Sequence, residues 1–202
     1  MNKQQKQNFG KTTTHLLVLF LTVFSYSFTT KFFQQKNDFE LKVDSFLKKY
    51  STDFSLSNDR FSNNSNDFVL DNKTKSDLSK VVTLKCKTSF VNQYKQTVYQ
   101  RLYLGFYQFN SQKDCNAALD SLLNCFGTDC QKIKRGENGQ LVKTSPVFYL
   151  LNENQIIVCH IACEHKNEFW KTFTYDLKMN FGNEGSFTIY SDCGGPITFN
   201  KF

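Results

Sequence analysis

VYQRLYLGFYQFNSQKDCNAALDSLLNCFG, residues Val98 to Gly127, carries two hydrophobic periods in succession. Up to Phe109 the spacing is two. Val98, Leu102, Leu104 and Phe106 share one face, and Tyr99, Tyr103, Tyr107 and Phe109 share the other. Alternation with both faces apolar is the pattern of a strand in the middle of a sheet. From Cys115 the spacing changes. Cys115, Ala118, Leu119, Leu122, Leu123 and Phe126 form a single stripe at helical intervals. Asn110 or Ser111 supplies the N-cap, and Gly127 the left-handed residue that stops the helix.

Upstream, Val82, Leu84, Cys86, Thr88 and Phe90 alternate with Thr83, Lys85 and Lys87, a half-buried strand joined to the first by the polar turn Asn92 to Gln96. Downstream, a polar loop from Thr128 to Thr144 leads to a short strand, Val147 to Leu151. Asn152 to Asn154 makes a tight hairpin, and Gln155 to Cys163 returns. Phe169, Trp170, Phe173, Leu177 and Phe181 mark the buried face of a second helix from about Lys166, which Gly182 ends as Gly127 ends the first. Ser186 to Tyr190 is the last strand, before a tail entered through Cys193-Gly194-Gly195-Pro196. From Val98 the order is strand, helix, strand, strand, helix, strand. This predicts an α+β fold: an antiparallel sheet with two helices on one face in the split βαβ, ferredoxin-like order, plus an extra N-terminal strand.

Residues 80–202 read as this cysteine-rich domain. Residues 28–79 read as an arm, with an amphipathic helix from Asn37 to Tyr50 (Phe39, Val43, Phe46, Leu47, Tyr50) followed by a Ser-, Asn- and Asp-rich linker. Asn63 and Asn72 head N-x-S/T triplets, useful only in a host that glycosylates exported chains. Residues 1–27 read as an export signal. Lys3, Lys6 and Lys11 precede the uncharged run Leu16 to Phe28, with Ser25 and Ser27 at cleavage-site spacing. The run is too short to span a bilayer as a helix, and an uncleaved single-pass N-terminal anchor is the alternative. The predicted location is secreted or periplasmic, at the cell envelope, with membrane contact only through an uncleaved N-terminus.

The formal charge of +7 counts three lysines of that signal; without them 22 basic side chains face 18 acidic ones. The densest basic stretch is Lys132, Lys134 and Arg135, which reads as a solvated loop, so no nucleic-acid partner is expected.

An oxidising compartment turns seven cysteines into candidate disulfides. Cys159 and Cys163 on one strand would sit about 13 Å apart, beyond bonding reach. The fold instead gathers Cys125, Cys130, Cys163 and Cys193 at one edge of the sheet. Two bonds are expected there, preferentially between the helix end and the strand ends; a local Cys125–Cys130 bond would fold a short loop around Gly127. The competing reading is a zinc site of the four cysteines, or of three with His165, in a reducing compartment. Cys86 and Cys115 are further bonding candidates. Cys159 reads as a buried free thiol.

No cofactor motif is present and no catalytic residue is assigned. A Cys163–His165 dyad lacks an orienting third group. Glu164 and Glu168 near the second helix start are readable as an acid–base pair with His165, or as acids complementing a helix dipole. The tyrosine face of the central strand, Tyr99, Tyr103, Tyr107 and Phe109, is the candidate binding surface for a protein or glycan; the competing reading is coverage by the Phe-rich N-terminal segment. The function expected is an exported, disulfide-stabilised, non-enzymatic binding or structural module. The alternatives are a small hydrolase-type enzyme using His165 with Glu164 and Glu168, or a secreted inhibitor.

Overall fold

A computed structural model describes residues 38–57, 76 and 78–201. The segment read as an export signal, its expected cleavage position, both N-x-S/T triplets and most of the Ser/Asn/Asp-rich stretch lie outside these residues. The chain divides into two units, residues 1–42 and 43–202. Of the first, residues 38–42 are described, and they are helical. The rest of this section concerns the second.

Among the described residues its fold is α+β: three helices and a seven-stranded antiparallel sheet. The elements are helix α1 (described over 38–49), β1 (Phe54–Ser57), β2 (Leu78–Val91), β3 (Thr97–Gln108), α2 (Gln112–Asn124), β4 (Val147–Asn152) and β5 (Gln155–His160). A 3₁₀ turn (Cys163–His165), α3 (Glu168–Phe181), β6 (Phe187–Ser191) and β7 (Thr198–Lys201) follow. The sheet order is β1-β2-β3-β5-β4-β6-β7, and every neighbouring pair is antiparallel.

The element order from β3 to β6 is the one the sequence predicts; the sheet order and the helix placement differ from the ferredoxin-like arrangement. β6 joins the open side of β4 instead of β3. The two helices consequently lie on opposite faces. The β3–α2–β4 connection steps over β5, and β5–α3–β6 steps over β4, in the same direction along the sheet. β3 and β5 run antiparallel. Two crossovers of one hand, moving the same way from oppositely directed strands, place their helices on opposite sides. In the ferredoxin-like order the second crossover moves back, and the helices share a side.

Packing follows this division. Ala118, Leu119 and Leu122 of α2 close over Tyr107, Tyr149, Val158 and Ile189. The strand residues of opposite parity meet the other helices. Phe46 of α1 and Phe181 of α3 lie 6.4 and 5.5 Å, centroid to centroid, from Phe106, and Phe46 lies 5.7 Å from Phe173. Trp170 is fully buried on α3. The Tyr50 hydroxyl donates to Asp176 at 2.5 Å and Lys49 pairs with the same carboxylate at 2.7 Å, tying the end of α1 to α3.

Local signals explain the element ends. Ser111 accepts from the Asp114 N–H at the start of α2. Gly127 is left-handed, with φ +71°, two residues past the Cys125 C-cap. Gly182 ends α3 at φ −82°, so the left-handed stop expected there is absent; its N–H bonds the Lys178 carbonyl instead. At Gly105 a Cβ would sit 2.6 Å from Tyr107 Cε2, so only glycine lets that ring lie back along β3. Two strands escape the sequence pattern. β1 falls in the stretch read as linker, and β7 in the tail. Each is four residues long at a sheet edge, too short for alternation to register. β5 stops at His160, so Cys163 leaves the strand for the 3₁₀ turn.

Candidate functional site

One end of the sheet collects the bonded cysteines. α2 runs out at Cys125, and Phe126 and Gln131 exchange both backbone hydrogen bonds, closing a loop that Cys125–Cys130 locks with Cα atoms 4.0 Å apart. Cys163, opening the 3₁₀ turn, bonds Cys193 just after β6, with Cα atoms 5.7 Å apart. The chain from Lys143 to Thr144 passes between the two loops: Thr128 N–H donates to the Lys143 carbonyl and Gly194 N–H to that of Thr144. The four cysteines expected together are thus brought to one end, but the first pair bonds locally instead of linking the helix end to a strand. Left-handed backbone at Gly127 and at Cys130 (φ +51°) lets so short a loop close. With all four sulfurs bonded, the zinc reading and the Cys163–His165 dyad both lose their thiolates. Such bonds form in oxidising compartments.

Between the loops lies a shallow cleft of about 330 Å³ lined by Asp129, Gln131, Leu141, Val142, Lys143 and Gly194. Its only acid and base, Asp129 and Lys143, face each other at 3.7 Å. None of its lining residues is a serine, threonine, cysteine or histidine.

The remaining cysteines are unbonded: Cys86 half-buried, Cys115 and Cys159 buried. Cys86 and Cys115 therefore do not pair, as the sequence allowed. Burial pushes the Cys115 thiol up to about 12 and the Cys159 thiol well above its ordinary value, which suppresses thiolate chemistry. Among the described residues no group of three or more His, Cys, Asp and Glu side chains has metal-binding geometry.

His165 sits in the 3₁₀ turn rather than at a helix start, with its carbonyl accepting from Gln100 Nε2 at 3.2 Å. Burial lowers its pKa against the opposing effect of Glu164, and Arg101 adds to the lowering. Glu164 is exposed, and Glu168 is exposed and paired with Lys171 at 3.2 Å. Among the described residues no hydrogen bond links either carboxylate to the imidazole. His160 is buried and stacked on Tyr103 at 4.8 Å, and burial pushes its pKa down to about 3.

The tyrosine face is divided. Tyr107 and Phe109 are sealed under α2. Tyr103 is half-buried and Tyr99 is 47% exposed. α2 covers the inner half, and the Phe-rich N-terminal segment lies outside the described residues. The outer half is open because β5 ends opposite Tyr103, leaving Thr97–Leu102 paired with β2 alone. Register puts Val91, Ser89, Lys85, Thr97, Tyr99 and Arg101 on one side of this corner. The Lys85 ammonium lies 5.3 Å from the Tyr99 ring centroid, and Lys85 stands directly opposite Arg101. Beyond it, Asn92 Oδ1 accepts from the Tyr94 and Gln96 N–H groups and shapes a hairpin tip that leaves Val91 66% and Tyr94 62% exposed. The sequence marks Tyr99 but misses its cationic neighbours. The signal available was the absence of any Asp or Glu from residue 78 to residue 113.

Among the described residues no helix is long and apolar enough to cross a membrane. The chain matches no family model, and no curated protein or solved structure matches it either.

Proposed function

We propose that this protein is an exported binding module without chemistry of its own, braced by two disulfides and engaging its partner through the open corner of β2 and β3. The observation that carries this reading is the division of the tyrosine face. The same alternating pattern that fills the α2 core continues into aromatic side chains that none of the described elements covers. Exposed aromatics grouped on a rigid, paired strand lose little side-chain entropy on binding, which suits them as anchors. The lysine-led apolar segment of residues 1–27 and the disulfides support delivery to an oxidising compartment.

Two measurements test it. Alkylation of unreduced, denatured protein recovered from the exporting cell should label three thiols, and seven after reduction. Seven labelled without reductant refutes export into an oxidising space. Labelled oxidised protein should bind envelope or extracellular material from its own source. That binding should fall at least about tenfold for Tyr99→Ser with Tyr94→Ser, and stay unchanged for Leu141→Ser in the cleft between the disulfides. Equal binding by all three proteins removes the corner as the binding surface.

A further inference from the structure

We infer that the β2–β3 corner binds an anionic polysaccharide, its acidic groups held between Lys85 and Arg101 and a sugar face laid on Tyr99. This rests on the corner being the binding surface and adds the chemical class of its ligand. Lys85 and Arg101 are direct cross-strand partners with side chains on the same side. Like charges so placed oppose sheet formation. Among the described residues neither cation has an acidic partner, whereas Lys80 pairs with Asp44 and Lys87 donates to the Ser51 and Thr52 carbonyls. Two unneutralised cations directly opposite each other on neighbouring strands form a site for a carboxylate or sulfate, which would relieve their repulsion.

The surroundings favour a sugar polymer over an acidic peptide. Extended peptides add to a sheet through free backbone groups at an edge. Here the Thr83–Cys86 edge of β2 is occupied by β1; among the described residues the Thr97–Leu102 edge of β3 is free, but Lys85, Arg101 and Tyr99 project from the sheet face rather than along that edge. That face presents the half-exposed Tyr99 ring, a flat apolar surface, on the same side as the hydroxyl-bearing residues Ser55, Ser89 and Thr97. A saccharide chain has both matching features: an apolar C–H face and polar substituents.

The test uses the full oxidised chain with polygalacturonate and dextran sulfate as probes, and with neutral dextran and poly-glutamate of matched charge as comparators. Expected is binding to at least one anionic polysaccharide, about tenfold or more tighter than to poly-glutamate, weakening as salt rises. Lys85→Gln with Arg101→Gln should reduce it about tenfold or more, and Lys85→Arg should retain it. Unchanged disulfide content and a thermal midpoint no lower than that of the wild type in each variant confirm that folding is intact. Equal affinity for poly-glutamate, binding to neutral dextran alone, or full affinity in the double glutamine variant overturns the inference. Absence of binding to both anionic probes also overturns it. If envelope binding is still lost with Tyr99→Ser, the corner remains the binding surface and only its ligand class is wrong.

Discussion

Replacing Cys163 and Cys193 together by serine should cost more stability than replacing Cys125 and Cys130, although the second pair sits in the tighter loop. The bonds close loops of sequence separation 30 and 5. If a cross-link acts by restricting the unfolded chain, loop-closure entropy assigns about 3.6 kcal/mol to the longer bond and about 2 kcal/mol to the shorter. At a urea dependence of about 2 kcal/mol/M, the midpoints should fall by about 1.8 M and about 1 M. Native contacts left at each site do not reverse the order. The Lys166–Asp192 ion pair remains beside the lost Cys163–Cys193 bond, but both side chains are about a third exposed, so it compensates little. At the other site, the paired Phe126–Gln131 backbone bonds and the Thr128–Lys143 bond keep the loop folded without its sulfurs. The assay is equilibrium urea unfolding of the two double variants beside the wild type, followed by tryptophan fluorescence from the buried Trp170. The slope should rise in both variants as the unfolded chain expands. Equal midpoints, or a larger loss for Cys125→Ser with Cys130→Ser, would refute the loop-entropy account.

Three further outcomes follow from single side chains. Gly127→Ala should cost about 1–2 kcal/mol for its left-handed backbone, plus a contact term, because its Cβ would lie 2.7 Å from the Lys143 carbonyl oxygen. Gly136→Ala, left-handed with nothing within 4 Å, should show the backbone cost alone, so thermal midpoints of the two variants isolate the contact. His160 is held neutral when folded, near pKa 3, and titrates near 6.5 when unfolded. The unfolded chain therefore binds the extra proton below about pH 6.5, and stability should fall on acidification by at most about 1.4 kcal/mol per pH unit for this group. Asp176 and Asp192, whose pKa values are lowered despite burial by hydrogen bonds from Lys49 and Lys166, lose their contributions only as pH falls below about 3.9. Denaturant unfolding from pH 6.5 to 4.5 thus reports the histidines, and His160→Gln should flatten the slope while His165, shifted the same way, keeps part of it. Finally, Arg101→Glu turns a like-charge pair with Lys85 into an opposite one and should raise stability by about 0.2–1 kcal/mol while abolishing anion binding. A destabilised variant in urea would mean that the two cations do not oppose each other.

What the sequence made legible was whatever depends on neighbours along the chain. The period of β3 and the stripe of α2 predicted both elements. Ser111 is the cap and Gly127 is left-handed. Cys159 is the buried free thiol that its Ile and Val neighbours suggested. What escaped depends on choices between distant partners. Whether β6 joins β3 or β4 changes no local pattern, since either position buries Ile189 on one side and Thr188 on the other. That single choice nonetheless decides which side of the sheet α3 covers. It gives α2 one face to itself, and α2's four-turn stripe is too short to cover all of β3. The same alternation that reads as one uniform aromatic face from Tyr99 to Phe109 is therefore cut in two by the length of a helix. Phe109 and Tyr107 become core, and Tyr99 is left outside with two cations beside it. The candidate site is thus the part of a core pattern that the described elements leave uncovered. Its identity rests on where α2 and β5 stop, which periodicity cannot supply.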